Sequence, residues 1–206
     1  TIPAGYAVTA ISCTGIGSGT ATPNLAGGSV ALDALATAPG NAVQCSFTNT
    51  RLPTVQSSKT SIGDIGTFNF SGGNGFGTDA ITTVTSGTAA NGAVKTLTAA
   101  STATTITETI PAGYIVTAIS CTGLGTGTAT PNLGAGSVTL NAAATAPGNV
   151  VQCSFTNTKL RMLRVSKTSL GAVGTFNFSG DNGFGTDAIT TVTSGTVVNG
   201  ATKTLT

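Results

Sequence analysis

Three side chains of this sequence could together carry out a condensation: the amine of Lys59, the carboxyl of Glu108 and the carboxamide of Asn157. A neutral amine attacks a carboxamide carbon to give a secondary amide and ammonia, and a protonated carboxyl beside the amide polarises it for that attack. Side chains alternate between the two faces of a β-strand. By that rule Lys59 shares a face with Val55 and Ser57, Glu108 lies between Ile106 and Ile110, and Asn157 follows Val151, Cys153 and Phe155. All three therefore point to the apolar side of their strands. Apolar surroundings disfavour the charged forms of amines and carboxyls alike, which is the condition the reaction needs. The same placement also suits a buried Lys–Glu hydrogen-bonded pair, because an inward charge must find a partner. One reading ends in a covalent Lys59–Asn157 isopeptide clamp and the other in an ion pair. Neither requires a cofactor.

Four cysteines form a second group. Cys13 and Cys45 have the same spacing as Cys121 and Cys153, which reads as one disulfide in each of two equivalent units. Closing a loop of that length stabilises a fold by about 3–4 kcal/mol in the chain-entropy description. Buried free thiols of a reducing compartment fit a hydroxyl-rich chain poorly. The sequence contains no histidine, so Ser-His-Asp and Cys-His nucleophiles are ruled out and the protein reads as a non-enzyme. It has no C-x-x-C, and Asp33, Asp64, Asp79, Glu108, Asp181 and Asp187 form no ligand run, so no metal is expected. The glycine-rich GNGFGTD at Gly73 and GDNGFGTD at Gly180 lack the Lys-Ser/Thr ending of a phosphate loop and read as Phe-anchored turns.

The elements that must position these groups repeat along the chain. TIPAGYAVTAISCTG at Thr1 returns as TIPAGYIVTAISCTG at Thr109, a period of 108 residues, and about four positions in five are identical throughout. A period this long marks self-contained domains in series and not the turns of a solenoid. The least similar stretch is RLPTVQS at Arg51 against KLRMLRV at Lys159, which holds all three arginines and reads as a linker. It places one complete domain at 51–158, preceded by the C-terminal part of one repeat (1–50) and followed by the N-terminal part of another (159–206). Within the complete unit eight strands are predicted: Thr54–Thr60, Thr67–Ser71, Asp79–Ser86, Val94–Thr98, Thr104–Ile110, Tyr114–Cys121, Ser137–Ala142 and Val150–Thr156. They are rich in Val, Ile, Thr and Phe, divided by Gly, Asn and Pro, and no 3.6-residue periodicity competes with them. The fold class is all-β, and eight strands suit an Ig-like sandwich.

Composition narrows the role. Charged residues make up 7% of the chain against roughly 25% in an average soluble domain, and the net charge of +2 is spread thinly. No basic stripe is present, so nucleic acid is not an expected partner. No apolar run approaches the ~20 residues of a membrane span, so no segment is read as membrane-embedded. Thr-rich strands such as TTVTSGT are ordinary exposed strand sequence before they are a glycan- or ice-binding array.

SKTS at Ser58, GTFNFSG at Gly66, TETIPAGY at Thr107 and CSFTNT at Cys153, in that order, resemble the prealbumin-like, collagen-adhesin B-type domains of bacterial pilins and surface adhesins. That resemblance spans the whole 108-residue unit. It implies a tandem prealbumin-like sandwich in which Lys59 is the first-strand lysine, Glu108 with Pro111, Gly113 and Tyr114 the central acidic motif, and Asn157 the final-strand asparagine. It implies a secreted, cell-surface structural protein: a filament, stalk or giant adhesin whose partners are further copies of the same repeat. The alternative is an adhesin whose repeats bind a host surface, glycan or mineral. Near-identity between copies, loops included, favours interchangeable structural units.

Overall fold

The computed structural model describes residues 1–205. Four strands come from the first segment: β1 (Tyr6–Thr14), β2 (Ala21–Asn24), β3 (Ser29–Leu32) and β4 (Gln44–Arg51). The middle segment supplies β5 (Thr54–Ile62), β6 (Gly66–Gly72), β7 (Gly77–Thr83), β8 (Ala90–Thr96), β9 (Thr104–Thr109), β10 (Tyr114–Thr122), β11 (Ala129–Asn132), β12 (Ser137–Leu140) and β13 (Val150–Lys159). The last segment adds β14 (Arg161–Thr168), β15 (Gly174–Gly180), β16 (Gly185–Thr191) and β17 (Val197–Leu205).

The nine middle strands make a sandwich of two sheets, ordered β10-β13-β5-β8 and β11-β12-β9-β6-β7. The first and last strands of the unit, β5 and β13, are neighbours and run parallel over nine rungs from Val150↔Thr54 to Thr158↔Ile62. Every other pairing in these sheets is antiparallel. The inner faces bury Val55, Val151, Cys153, Phe155, Val116 and Ile119 from one sheet and Phe68, Phe70, Ile81, Ile106, Val138 and Leu140 from the other. Edge-to-face aromatic pairs cross the core, Phe70 with Phe155 at 5.0 Å and Phe68 with Tyr114 at 5.4 Å between ring centroids.

The first and last segments repeat pieces of this plan. β1 pairs with β4 as β10 does with β13, and β2 with β3 as β11 does with β12. β15 pairs with β16 as β6 does with β7. The partial units lack a complete facing sheet, and their side chains show it. Phe155 is fully buried, whereas its counterpart Phe47 is 45% exposed.

Three local features depart from simple strand periodicity. β11 carries Pro131, which sequence reading takes as loop; it is accommodated because β11 pairs on one side only, with β12, at the edge of its sheet. In β10 the register shifts between Val116 and Ala118, so Thr117 forms a bulge. The inward set changes from Tyr114 and Val116 to Ile119 and Cys121, and strict alternation cannot foresee that. The divergent stretch that reads as a linker is mostly strand: β5 starts at Thr54, with Val55 and Ser57 fully buried, and only Leu52 and Pro53 separate β4 from β5.

Gly123, after β10, has φ +74°, and a Cβ there would lie 1.9 Å from the Val150 carbonyl oxygen. No L-residue fits.

The contrast between Phe155 and Phe47 is testable in the 206-residue chain. Phe155→Ala is expected to lower stability by about 3–5 kcal/mol, and Phe47→Ala by no more than about 0.5 kcal/mol. Urea unfolding of both variants measures this, and equal losses would contradict the account of where the core lies.

Candidate functional site

The site lies between the two sheets, where three strands each contribute one polar side chain. On β5, burial of Val55 and Ser57 carries Lys59 inward by alternation, and it is 0% exposed. On β13, Val151, Cys153 and Phe155 do the same for Asn157, also 0% exposed. Lys59 stands in register with Phe155, and Asn157 with Ser61, across the parallel ladder. Glu108 reaches in from the facing sheet, on β9, beside buried Ile106, and is 1% exposed.

One carboxylate oxygen meets each partner. Lys59 Nζ donates to Glu108 Oε2 at 2.8 Å, and Asn157 Nδ2 donates to Glu108 Oε1. The Lys59 amine also lies 4.4 Å from the centre of the Phe68 ring. Asn157 Oδ1 is buried and has no partner among the described residues. The carboxamide therefore meets Glu108 through its nitrogen. A half-turn of the amide about Cβ–Cγ would bring its oxygen there instead, the arrangement in which a protonated Glu108 polarises the carbonyl.

Burial pushes the Lys59 amine below its ordinary value of 10.5, opposed by its hydrogen bond to Glu108 and by the charge of that residue. Transfer of one proton along the Nζ–Oε2 hydrogen bond would convert the ion pair into the neutral amine and carboxylic acid from which the covalent reading starts. Tyr114, at the rim, is raised above 10.0 by burial and then by the charge of Asp64. Its ring lies under Lys159 Nζ at 4.5 Å, and Lys159 also pairs with Asp64 at 3.5 Å.

A second buried polar contact lies close by and was not legible in the sequence. Ser61 Oγ bonds Thr83 Oγ1 at 2.7 Å, and Gly66 N–H donates to Thr83 Oγ1. The only signal for it was the parity that Ser61 shares with Lys59. In the last segment the pair recurs as Ser169–Thr191 at 2.6 Å, and Lys167 sits 4.3 Å from the Phe176 ring as Lys59 does over Phe68. Asn49 of the first segment is exposed.

The cysteines are joined as Cys13–Cys45 and Cys121–Cys153, each disulfide bridging directly opposed residues of two neighbouring strands. No group of three or more metal-binding side chains occurs among the described residues. No helix among them is long and apolar enough to cross a membrane.

A family model described as a prealbumin-like fold domain matches residues 1–51 and again 55–159. Among solved structures the chain is similar to the major pilin protein (T-13) of Streptococcus pyogenes, at 13% identity and a TM-score of 0.29, over 74% of this chain and 73% of that one. No curated protein matches it.

The depressed Lys59 amine has a consequence for a variant that cannot form an amide. In Asn157→Ala, between the lowered folded value and pH 10, the unfolded chain binds more protons at Lys59 than the folded one, so stability rises with pH. Above pH 10 the raised Tyr114 acts in the opposite sense. Urea midpoints of this variant should increase as pH approaches 10, and a flat or falling series would count against a buried amine.

Proposed function

Because the chain belongs to the family of prealbumin-like fold domains, we propose that it is a stretch of a bacterial extracellular filament or stalk whose repeats are cross-linked by a disulfide and a Lys–Asn isopeptide. The repeating unit runs over 51–158, with parts of its neighbours at 1–50 and 159–206. The observation that carries this reading is the meeting of Lys59, Glu108 and Asn157 in a fully buried cluster.

The chemistry balances within the cluster. A proton passes from Lys59 Nζ to Glu108 Oε2, and the neutral amine attacks Asn157 Cγ. The two protons that Nζ gives up pass by way of Glu108 to Nδ2, already on Glu108 Oε1, which departs as ammonium, that is, ammonia with the proton that Lys59 carried. One Nζ–Cγ bond forms, one Cγ–Nδ2 bond breaks, and Glu108 is returned unchanged. The event happens once per domain without turnover, so the role is structural and not enzymatic. Disulfides suit an oxidising, extracellular setting, and further copies of the repeat are the natural partners.

Topology explains what the bond would do. The chain enters the unit at the start of β5 and leaves at the end of β13, and because these strands are parallel the two points lie at opposite ends of the sandwich. Tension along the fibre shears β5 against β13. A Lys59–Asn157 amide joins these two strands directly and removes everything between them from the load path, including the disulfide loop.

Intact mass under oxidising conditions tests the bond. The purified chain should be lighter than its sequence, after allowance for two disulfides, by one ammonia, and Glu108→Gln should restore the full mass. A wild-type mass equal to the disulfide-bonded sequence would falsify the cross-link. In single-molecule stretching, wild type should show no unfolding extension from the middle repeat and Lys59→Ala should show one; equal extensions would remove the load-bearing role.

A further inference from the structure

The strand that presents Asn157 also carries Cys153, and we propose that Cys121 and Cys153 are positioning residues for the cross-link. Their disulfide pins the register of β13 so that the carboxamide stops beside the Lys59 amine. This inference rests on the isopeptide reading above.

The need for a pin follows from the pattern of β13. Val151, Cys153, Phe155 and Asn157 are buried, while Gln152 and Ser154 are exposed. A slip by one residue turns the polar set inward and is rejected by burial alone. A slip by two residues keeps every side chain on its own face and moves Asn157 by about 7 Å along the strand, out of reach of Lys59. Hydrophobic patterning discriminates weakly against that slip. The outward rungs of the parallel ladder are Val150↔Thr54, Gln152↔Gln56, Ser154↔Ser58, Thr156↔Thr60 and Thr158↔Ile62, joined by one side-chain hydrogen bond, between Ser58 and Ser154 at 2.8 Å. They specify the rung weakly too.

The constraint comes from the other side of β13, where β10 is seated in the same core through Tyr114, Val116 and Ile119. Cys121 and Cys153 are directly opposed, and a covalent bond between them admits one register. Between this bond and Asn157 lies the bulge, where pairing steps from Ala118↔Thr156 to Val116↔Asn157. Thr117 Oγ1 donates to the Thr156 carbonyl at 3.2 Å and contacts Thr158 Oγ1 at 3.2 Å, gripping the residues on either side of Asn157. The first segment supplies an internal comparison. There β4 pairs with β1 alone, with no lysine-bearing strand beside it. The arrangement is nevertheless the same: Cys13 opposes Cys45, Val8 opposes Asn49, and Thr9 reaches Thr48 O and Thr50 Oγ1. The register of the asparagine strand against its disulfide-bonded neighbour is thus the same with and without the strand bearing the amine.

The test uses the 206-residue chain refolded from denaturant, with intact mass following ammonia loss, peptide mapping locating the Lys59–Asn157 branch, and circular dichroism giving the folded fraction. Cys121→Val/Cys153→Val keeps the sites apolar and removes the bond. It should fold yet cross-link about tenfold more slowly per folded molecule, in line with the sensitivity of intramolecular reactions to misplacement. Wild type refolded under reductant should behave likewise and recover its rate when oxidant is added. A variant that cross-links at the wild-type rate per folded molecule overturns the positioning role and leaves the isopeptide standing. A variant that does not fold overturns it as well, because the disulfide then holds the domain and not the register. If oxidised wild type never loses ammonia, the isopeptide reading itself fails and this inference falls with it.

Discussion

The parallel pairing of β5 with β13 is the constraint on which the rest of the middle unit depends. Parallel neighbours cannot be joined by a tight turn, so the chain between them must leave this pair and come back: five of the seven intervening strands build the second sheet, and the other two, β8 and β10, flank the pair. That excursion produces the sandwich. It places chain entry and exit at opposite ends, and it brings a first-strand lysine within one strand spacing of a last-strand asparagine although nearly the whole unit separates them in sequence. Loop-closure entropy opposes contacts of such separation, and the nine-rung ladder together with the core beneath it offsets that cost.

Inserting an amine, a carboxyl and a carboxamide into that core would ordinarily be unfavourable, since each polar group gives up water. Here each inward polar group answers another. Glu108 uses both oxygens, one on Lys59 and one on Asn157, and the Phe68 ring faces the amine. Ser61 and Thr83 satisfy each other next to them. Asn157 Oδ1 and Ser57 Oγ are the exceptions, and an unpartnered buried carbonyl typically costs about 1–3 kcal/mol.

Strand parity made much of this legible. Lys59 shares parity with Val55, Glu108 with Ile106 and Ile110, and Asn157 with Val151 and Phe155, and the two cysteine pairs announce themselves by equal spacing. Parity failed where the backbone breaks its own period. The Thr117 bulge reverses the inward set halfway along β10, and β11 escapes notice because Pro131 is acceptable only on an edge, a property of neighbours and not of sequence. The stretch from Arg51 to Ser57 diverges between repeats yet is largely strand. Variation there reads as linker, while Val55 and Ser57 are held by β13.

What the amino-acid sequence determined by itself was local and periodic: the β class, the repeat of 108 residues, and the faces on which Lys59, Glu108 and Asn157 lie. Each of these depends on residue type and on neighbours within a few positions. Only the tertiary structure decided that the three inward groups occupy one place and that β5 and β13 are parallel neighbours. Parity says which way a side chain points but not which strand faces it, because register and strand order are set by contacts between residues far apart in the chain. The unequal burial of Phe155 and Phe47 makes the same point: near-identical strands acquire different environments according to what is packed against them.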